Sequence, residues 1–148
     1  MASAATLYTP EVLALATSLA AHPLDGGLGL RGDARSPRCG SSLSLGLSLA
    51  PDGRIERVGV AAHACAIGQA AAAIFVHAVP GMAPAEIAEG EKSISAWLEA
   101  AARGLPAPLP DWPGLASIAP AAEYPARHGA ITLAWRAALA ALAACDGE

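Results

Sequence analysis

The sequence predicts an α+β fold: a small antiparallel sheet of about three strands packed against several helices. Three observations carry this. Leu43, Leu45, Leu47 and Leu49 alternate with small or polar residues, the period of a half-buried strand. Pro51-Asp52-Gly53 then marks a turn into a second β-type run over 54–62. Downstream of this hairpin the texture turns helical, first from about Ala66 to Val79 and again from about Gly129 to Ala144. At 148 residues the chain is long enough to bury a real core and reads as one domain over 1–148.

Each element has a local reason. Thr9-Pro10-Glu11 is a helix start, with a capping hydroxyl, proline at the first helical position and then an acid. That helix is expected to run to about Ala21 and to stop before His22-Pro23, with His22 as the ending residue. The glycine-rich stretch that follows predicts loop, with one short strand near Leu28 to Arg31. In the return strand of the hairpin the parity breaks between Ile55 and Val58/Val60, which predicts a bulge near Glu56-Arg57. The helix of about Ala66 to Val79 ends at Pro80-Gly81. His77 lies near its C-terminus, where a cation is favourable, and reads as structural. Two short helices, Pro84 to Glu89 and Ser93 to Arg103, should follow, then a proline-rich loop on the surface. The last helix sets Ile131, Trp135, Ala138, Leu142 and Cys145 on one stripe.

Composition excludes several classes. Hydrophobic residues make up 54% of the chain but aromatics only 4%, so the core must be built mainly from Ala, Leu, Val and Ile. The formal charge is −4 and Lys92 is the single lysine, which leaves no electrostatic footprint for nucleic acid. No apolar run is long enough for a membrane span, since Gln69 and His77 interrupt the best one. The apolar stretch Val12 to Ala21 has no basic leader and follows Glu11, so the expectation is a cytoplasmic protein rather than an exported one. Three cysteines do not make a disulfide framework, and in a reducing compartment they read as buried thiols or ligands.

Two of those thiols converge. With Asp52 at the centre of the turn, the antiparallel hairpin sets Cys39 opposite Cys65, to within the residue or two that the bulge can slip. Cys65 also falls where strand gives way to helix. The helix dipole favours negative charge at that end, which suits the thiolate, the nucleophilic and metal-binding form. A lone cysteine ordinarily packs as a small hydrophobe, but two arriving at one strand-to-helix junction point to a site. Cys145 keeps the buried reading, because a continuous last helix carries it roughly 22 Å from Ala130 at 1.5 Å per residue. His63, two residues before Cys65, shares its face of the strand and is a candidate ligand or proton donor.

These residues form a pattern. The run from Ser36 to Phe75, "SPRCGSSLSLGLSLAPDGRIERVGVAAHACAIGQAAAAIF", resembles the core of the NifU/IscU/SufU iron–sulfur cluster assembly scaffold family. That family has a Cys-Gly-Asp turn, a hairpin, and Gly-Cys-Ala-Ile-Ser opening a helix. "YPARHGAITLAW" is similar to the family's third segment in its SufU-type form, and "LYTPEVLALATSLAAHP" to its opening helix. The resemblance spans roughly Leu7 to Leu142 and implies an IscU/SufE-like fold. It implies three cysteines and an aspartate holding zinc or a nascent iron–sulfur cluster, with sulfur accepted from a cysteine desulfurase and the cluster passed to apo iron–sulfur proteins. Carried over residue by residue, the first two cysteines are Cys39 and Cys65, the aspartate position is Ser41, and the third cysteine falls on Ala130. His128, two residues earlier, could compensate, as Cys₂His plus water or as Cys₂His₂ with His63. Arg38 and Arg127 flank the implied site. "EYPAR" stands where some members carry the Leu-Pro-Pro-Val-Lys stretch read by an Hsp70-type chaperone, so that partner is not implied.

Three functions are then open, and a scaffold or sulfur acceptor is expected rather than a turnover enzyme, although the third is a relay enzyme. One is a scaffold that binds metal or accepts sulfur at Cys39 and Cys65, with His63, His128 and Ser41 as further candidate ligands. Another is a non-assembling paralogue that keeps the desulfurase-docking surface as a binding or regulatory module. The third is a sulfur relay with Cys65 alone as carrier.

Overall fold

The computed structural model of the protein describes residues 7–37 and 40–146. Helix α1 (Pro10–Ser18) begins as its start signal requires, the Thr9 side chain accepting the Val12 N–H at 3.1 Å. A 3₁₀ turn, Leu19–Ala21, ends it at His22. The sheet follows, with strands β1 (Leu30–Arg35), β2 (Ser42–Leu49) and β3 (Ile55–His63), antiparallel in the order β1-β2-β3. The expected bulge is present: Leu49 faces Ile55, whereas Ser48 faces Arg57, so Glu56 is the extra residue.

β1 is longer and later than the sequence suggests. Glycine and aspartate are poor strand formers, yet Gly32 and Asp33 lie inside it. The reason is packing: a Cβ on Gly32 would strike the Ala137 carbonyl, so only glycine lets a helix cross there. Gly32 pairs with the fully buried Leu45, and paired residues share a face. On the other face, Gly46 and Gly59 pair beneath the segment 23–28, where a Cβ on Gly46 would come 2.7 Å from the Leu28 Cβ.

Helix α2 (Ala66–Ala78) is buried along most of its length, and its run of alanines lets α1 come close. Helix α3 is one unbroken element, Pro84–Ala102, and not the expected pair of short helices. Gly90, which weakens the pattern locally, faces Trp112, and a Cβ there would lie 2.5 Å from the indole. The proline-rich stretch is only partly surface. Leu105 and Leu109 are exposed, but Trp112 is buried and stacks on Phe75 at 5.9 Å, and a 3₁₀ segment, Leu115–Glu123, contributes Leu115 and Ile118 to the core. The last helix is broken at Thr132 into α4 (His128–Ile131) and α5 (Leu133–Asp146). Ile131, Trp135, Ala138 and Leu142 are buried as the stripe requires, while the side chain of Cys145 lies outside the described residues. No helix among the described residues is long and apolar enough to cross a membrane.

Candidate functional site

The hairpin's open end, the start of α2 and the turn before α4 meet around one cavity of about 430 Å³. Cys65, His63, Gln69, Arg127, Ser41 and Gly40 line it. Cys65 is the N-cap residue of α2, extended at φ −65° and ψ 170°, and its carbonyl accepts the Gln69 N–H at 2.9 Å. It is half-buried and is a free thiol. Gln69 also donates its side-chain amide to the Ala64 carbonyl at 2.9 Å, which pins the strand-to-helix corner. His63 is the last residue of β3 and is exposed at the cavity rim.

Ser41 is buried, and its carbonyl accepts the Ser36 N–H at 2.8 Å. Gly40 donates back to the Ser36 carbonyl at 2.8 Å and holds φ +76°, a conformation that favours glycine. The ends of this loop are thus tied together beside Cys65. Past the bulge β2 and β3 pair as far as Ser42 with His63, and this register continued brings Gly40, one residue beyond Cys39, opposite Cys65. Cys39 and Arg38 themselves lie outside the described residues.

The turn into α4 packs on the same loop. Gly129 lies so close to Ser36 that a Cβ on it would overlap the Ser36 hydroxyl. Ala130 is buried against the first turn of α2, where a Cβ added to Gly68 would sit 2.8 Å from the Ala64 Cβ and 3.2 Å from that of Ala130. The position to which the resemblance assigns a third cysteine therefore packs on the first turn of the helix that Cys65 caps, with a methyl group in place of a thiol. His128 is engaged elsewhere. Its Nε2 lies 2.7 Å from the Ala122 carbonyl, which can only accept, so Nε2 carries the proton, and His128 is not among the residues lining the cavity.

The donors described stop short of a metal site. Zinc in a closed site takes four ligands and clusters take mostly thiolates. Among the described residues no three His, Cys, Asp or Glu side chains converge on a point that could hold a metal ion. Among the described residues the cavity offers the Cys65 thiol, the His63 imidazole and the Arg127 guanidinium, with Ser41 and Gln69 also in its lining.

No family profile matches the chain, and no curated protein does either. Solved structures do. A nitrogen-fixing NifU-like protein (N-terminal part) from Brucella abortus superposes with a TM-score of 0.82 at 21% identity, over 96% of each chain. The chain has the NifU-like fold. A protein described as an iron–sulfur cluster assembly scaffold for the SUF system, from Fervidobacterium islandicum, shares this fold with a TM-score of 0.71 at 17% identity, over 92% of this chain and 96% of its own. A hypothetical protein of 25% identity gives 0.66 over 89% and 96%. In the NifU-like fold the α+β architecture and three-stranded antiparallel sheet are as the sequence predicts.

Two residues that shape the site carry little signal in the sequence. Gln69 shows only as a polar break in an apolar run, and Tyr8 not at all. Arg127 donates to the Tyr8 hydroxyl at 3.1 Å, a contact between residues 119 apart in the chain.

Proposed function

We propose that this protein is an iron–sulfur cluster assembly scaffold-like protein that accepts sulfane sulfur on Cys65 from a cysteine desulfurase, with Cys39 as the neighbouring thiol. The observation that carries the reading is the placement of Cys65 at the N-cap of a 13-residue helix, half-buried in an open cavity beside Arg127 and His63. The fold shared with a SUF-system scaffold supports the partner class. In the transfer, the Cys65 thiolate attacks the outer sulfur of the desulfurase persulfide. The sulfur–sulfur bond to the desulfurase cysteine breaks, a new one to Cys65 forms, and the desulfurase thiolate leaves with the electron pair. No net oxidation or reduction occurs. Negative charge on the sulfur chain is favoured by the helix N-terminus and by the guanidinium. His63, exposed at the rim, can exchange the persulfide proton with solvent.

Incubation with a desulfurase and sulfur-labelled cysteine should place label on Cys65, and Cys65→Ser should abolish the uptake. Undiminished label on that variant would overturn the assignment. The second reading, a non-assembling paralogue that docks the desulfurase without taking sulfur, is favoured by the methyl group of Ala130 at the third ligand position. It predicts desulfurase binding by the unaltered chain with no label on any thiol.

A further inference from the structure

Arg127 ends a short 3₁₀ turn, Pro125–Arg127, from which a long flexible side chain can point in many directions. One interaction selects a direction. An Nη2–H donates to the Tyr8 hydroxyl oxygen, and Tyr8, just ahead of the α1 cap, is half-buried against the core. The kind of acceptor matters. Arg54, Arg57 and Arg103 each face a carboxylate, which cancels much of their charge. A phenol oxygen orients a guanidinium and leaves it a full cation, with its other N–H groups free to meet an anion. No carboxylate stands among the described residues lining the Cys65 cavity.

We propose that Tyr8 is a positioning residue: by accepting from Arg127 it keeps an uncancelled guanidinium turned into the Cys65 cavity, where it selects anionic sulfur compounds over neutral ones. The substrate class this names is a negatively charged persulfide or disulfide, whose leaving thiolate is met by the same cation. The inference rests on Cys65 as the working thiol, but its test needs no desulfurase. A chain that takes up no sulfur would still report here, so the two readings fail separately.

The test is a pair of thiol-exchange rates in a full chain bearing Cys39→Ser and Cys145→Ser, so that Cys65 alone reacts. One probe is the dianionic disulfide dithiobis-nitrobenzoate, the other neutral dithiodipyridine. As the mixed disulfide forms, the first releases the coloured nitrothiobenzoate thiolate and the second thiopyridone, each read by its absorbance. The ratio of the anionic to the neutral rate should fall about fivefold in Arg127→Gln, the scale of one unit charge near contact in a watery setting, and about twofold or more in Tyr8→Phe. The double variant should fall no further than Arg127→Gln alone, and added salt should shrink the difference. An unchanged ratio in Tyr8→Phe, or a slowing equal for both probes, would mean a packing role only and overturn the proposal. An unchanged ratio in Arg127→Gln would overturn it as well, by removing the cation from the cavity.

Discussion

Glycine is an unfavourable residue for the first turn of a helix, by about 1 kcal/mol against alanine, yet Gly129 occupies the second position of α4. The contact with Ser36 decides the matter, because any Cβ there would overlap a buried hydroxyl at the base of the loop that ends in Gly40 and Ser41. Propensity and packing therefore predict opposite signs for one substitution. Gly129→Ala should lose about 1–3 kcal/mol of stability, as overpacking of a tight contact does. Ser36→Gly in the same chain should recover part of that loss, since it removes the obstructing group. Urea midpoints of the two variants check this, and a Gly129→Ala protein as stable as the parent would show that the turn simply shifts aside. The histidine beside it is read differently from its sequence position. His128 stands close to Ala130 along the chain, but its proton is committed to the Ala122 carbonyl, a partner that no spacing rule could name.

At the scale of elements, what was legible was whatever depends on neighbours in the chain. The alternating leucines form β2, Thr9 caps α1, and the parity break at Ile55 marks a real bulge. What was not legible depends on groups distant in sequence. Gly90 reads as a helix break, but Trp112 arrives from the far side of the proline-rich stretch and fills the space a side chain would take. Gly32 and Asp33 read as loop until α5 is laid across them. The cavity followed the same rule: the hairpin, the Cys65 cap and Gln69, which bonds to Ala64 five residues before it, depend on chain neighbours, while Tyr8 joins only through Arg127, 119 residues away. Gly90→Ala makes this measurable. Helix propensity alone favours alanine by about 1 kcal/mol, whereas the close approach of the Trp112 ring makes an added methyl overpack by about 1–3 kcal/mol. The indole is held by Phe75 and Trp135 on its other sides and has little room to yield. The substitution should therefore lower the melting temperature, and a rise would mean that the ring moves freely.

For the whole molecule, the fold and the chemistry are separable, and the corner at Ala130 shows where they part. The chain superposes on a NifU-like protein over 96% of its length, and in it the segment of Ala130 packs on the helix that Cys65 caps. The segment arrives with Ala130 buried against the first turn of α2, and Gly68 beneath it adds no donor. Adding a single sulfur atom is therefore the most direct way to ask whether only the ligand is missing. The chain purified without added metal should carry substoichiometric zinc and iron, because Ala130 puts a methyl group at the position to which the resemblance assigns the third cysteine, and a closed zinc site takes four ligands. Ala130→Cys introduces a thiol against the first turn of the helix that Cys65 caps, and zinc content should rise toward one per chain, with a corresponding gain in melting temperature because metal binds the folded state alone. Adding Cys65→Ser to that variant should remove the gain. Stoichiometric zinc in the unaltered chain would overturn this account, and would mean that Cys39, His63 or His128 completes a site around Cys65 without a third cysteine. A folded Ala130→Cys chain with no added zinc would place the new sulfur inside the core, and the departure from a ligand site would then lie in the packing of α4 on α2 and not in one side chain.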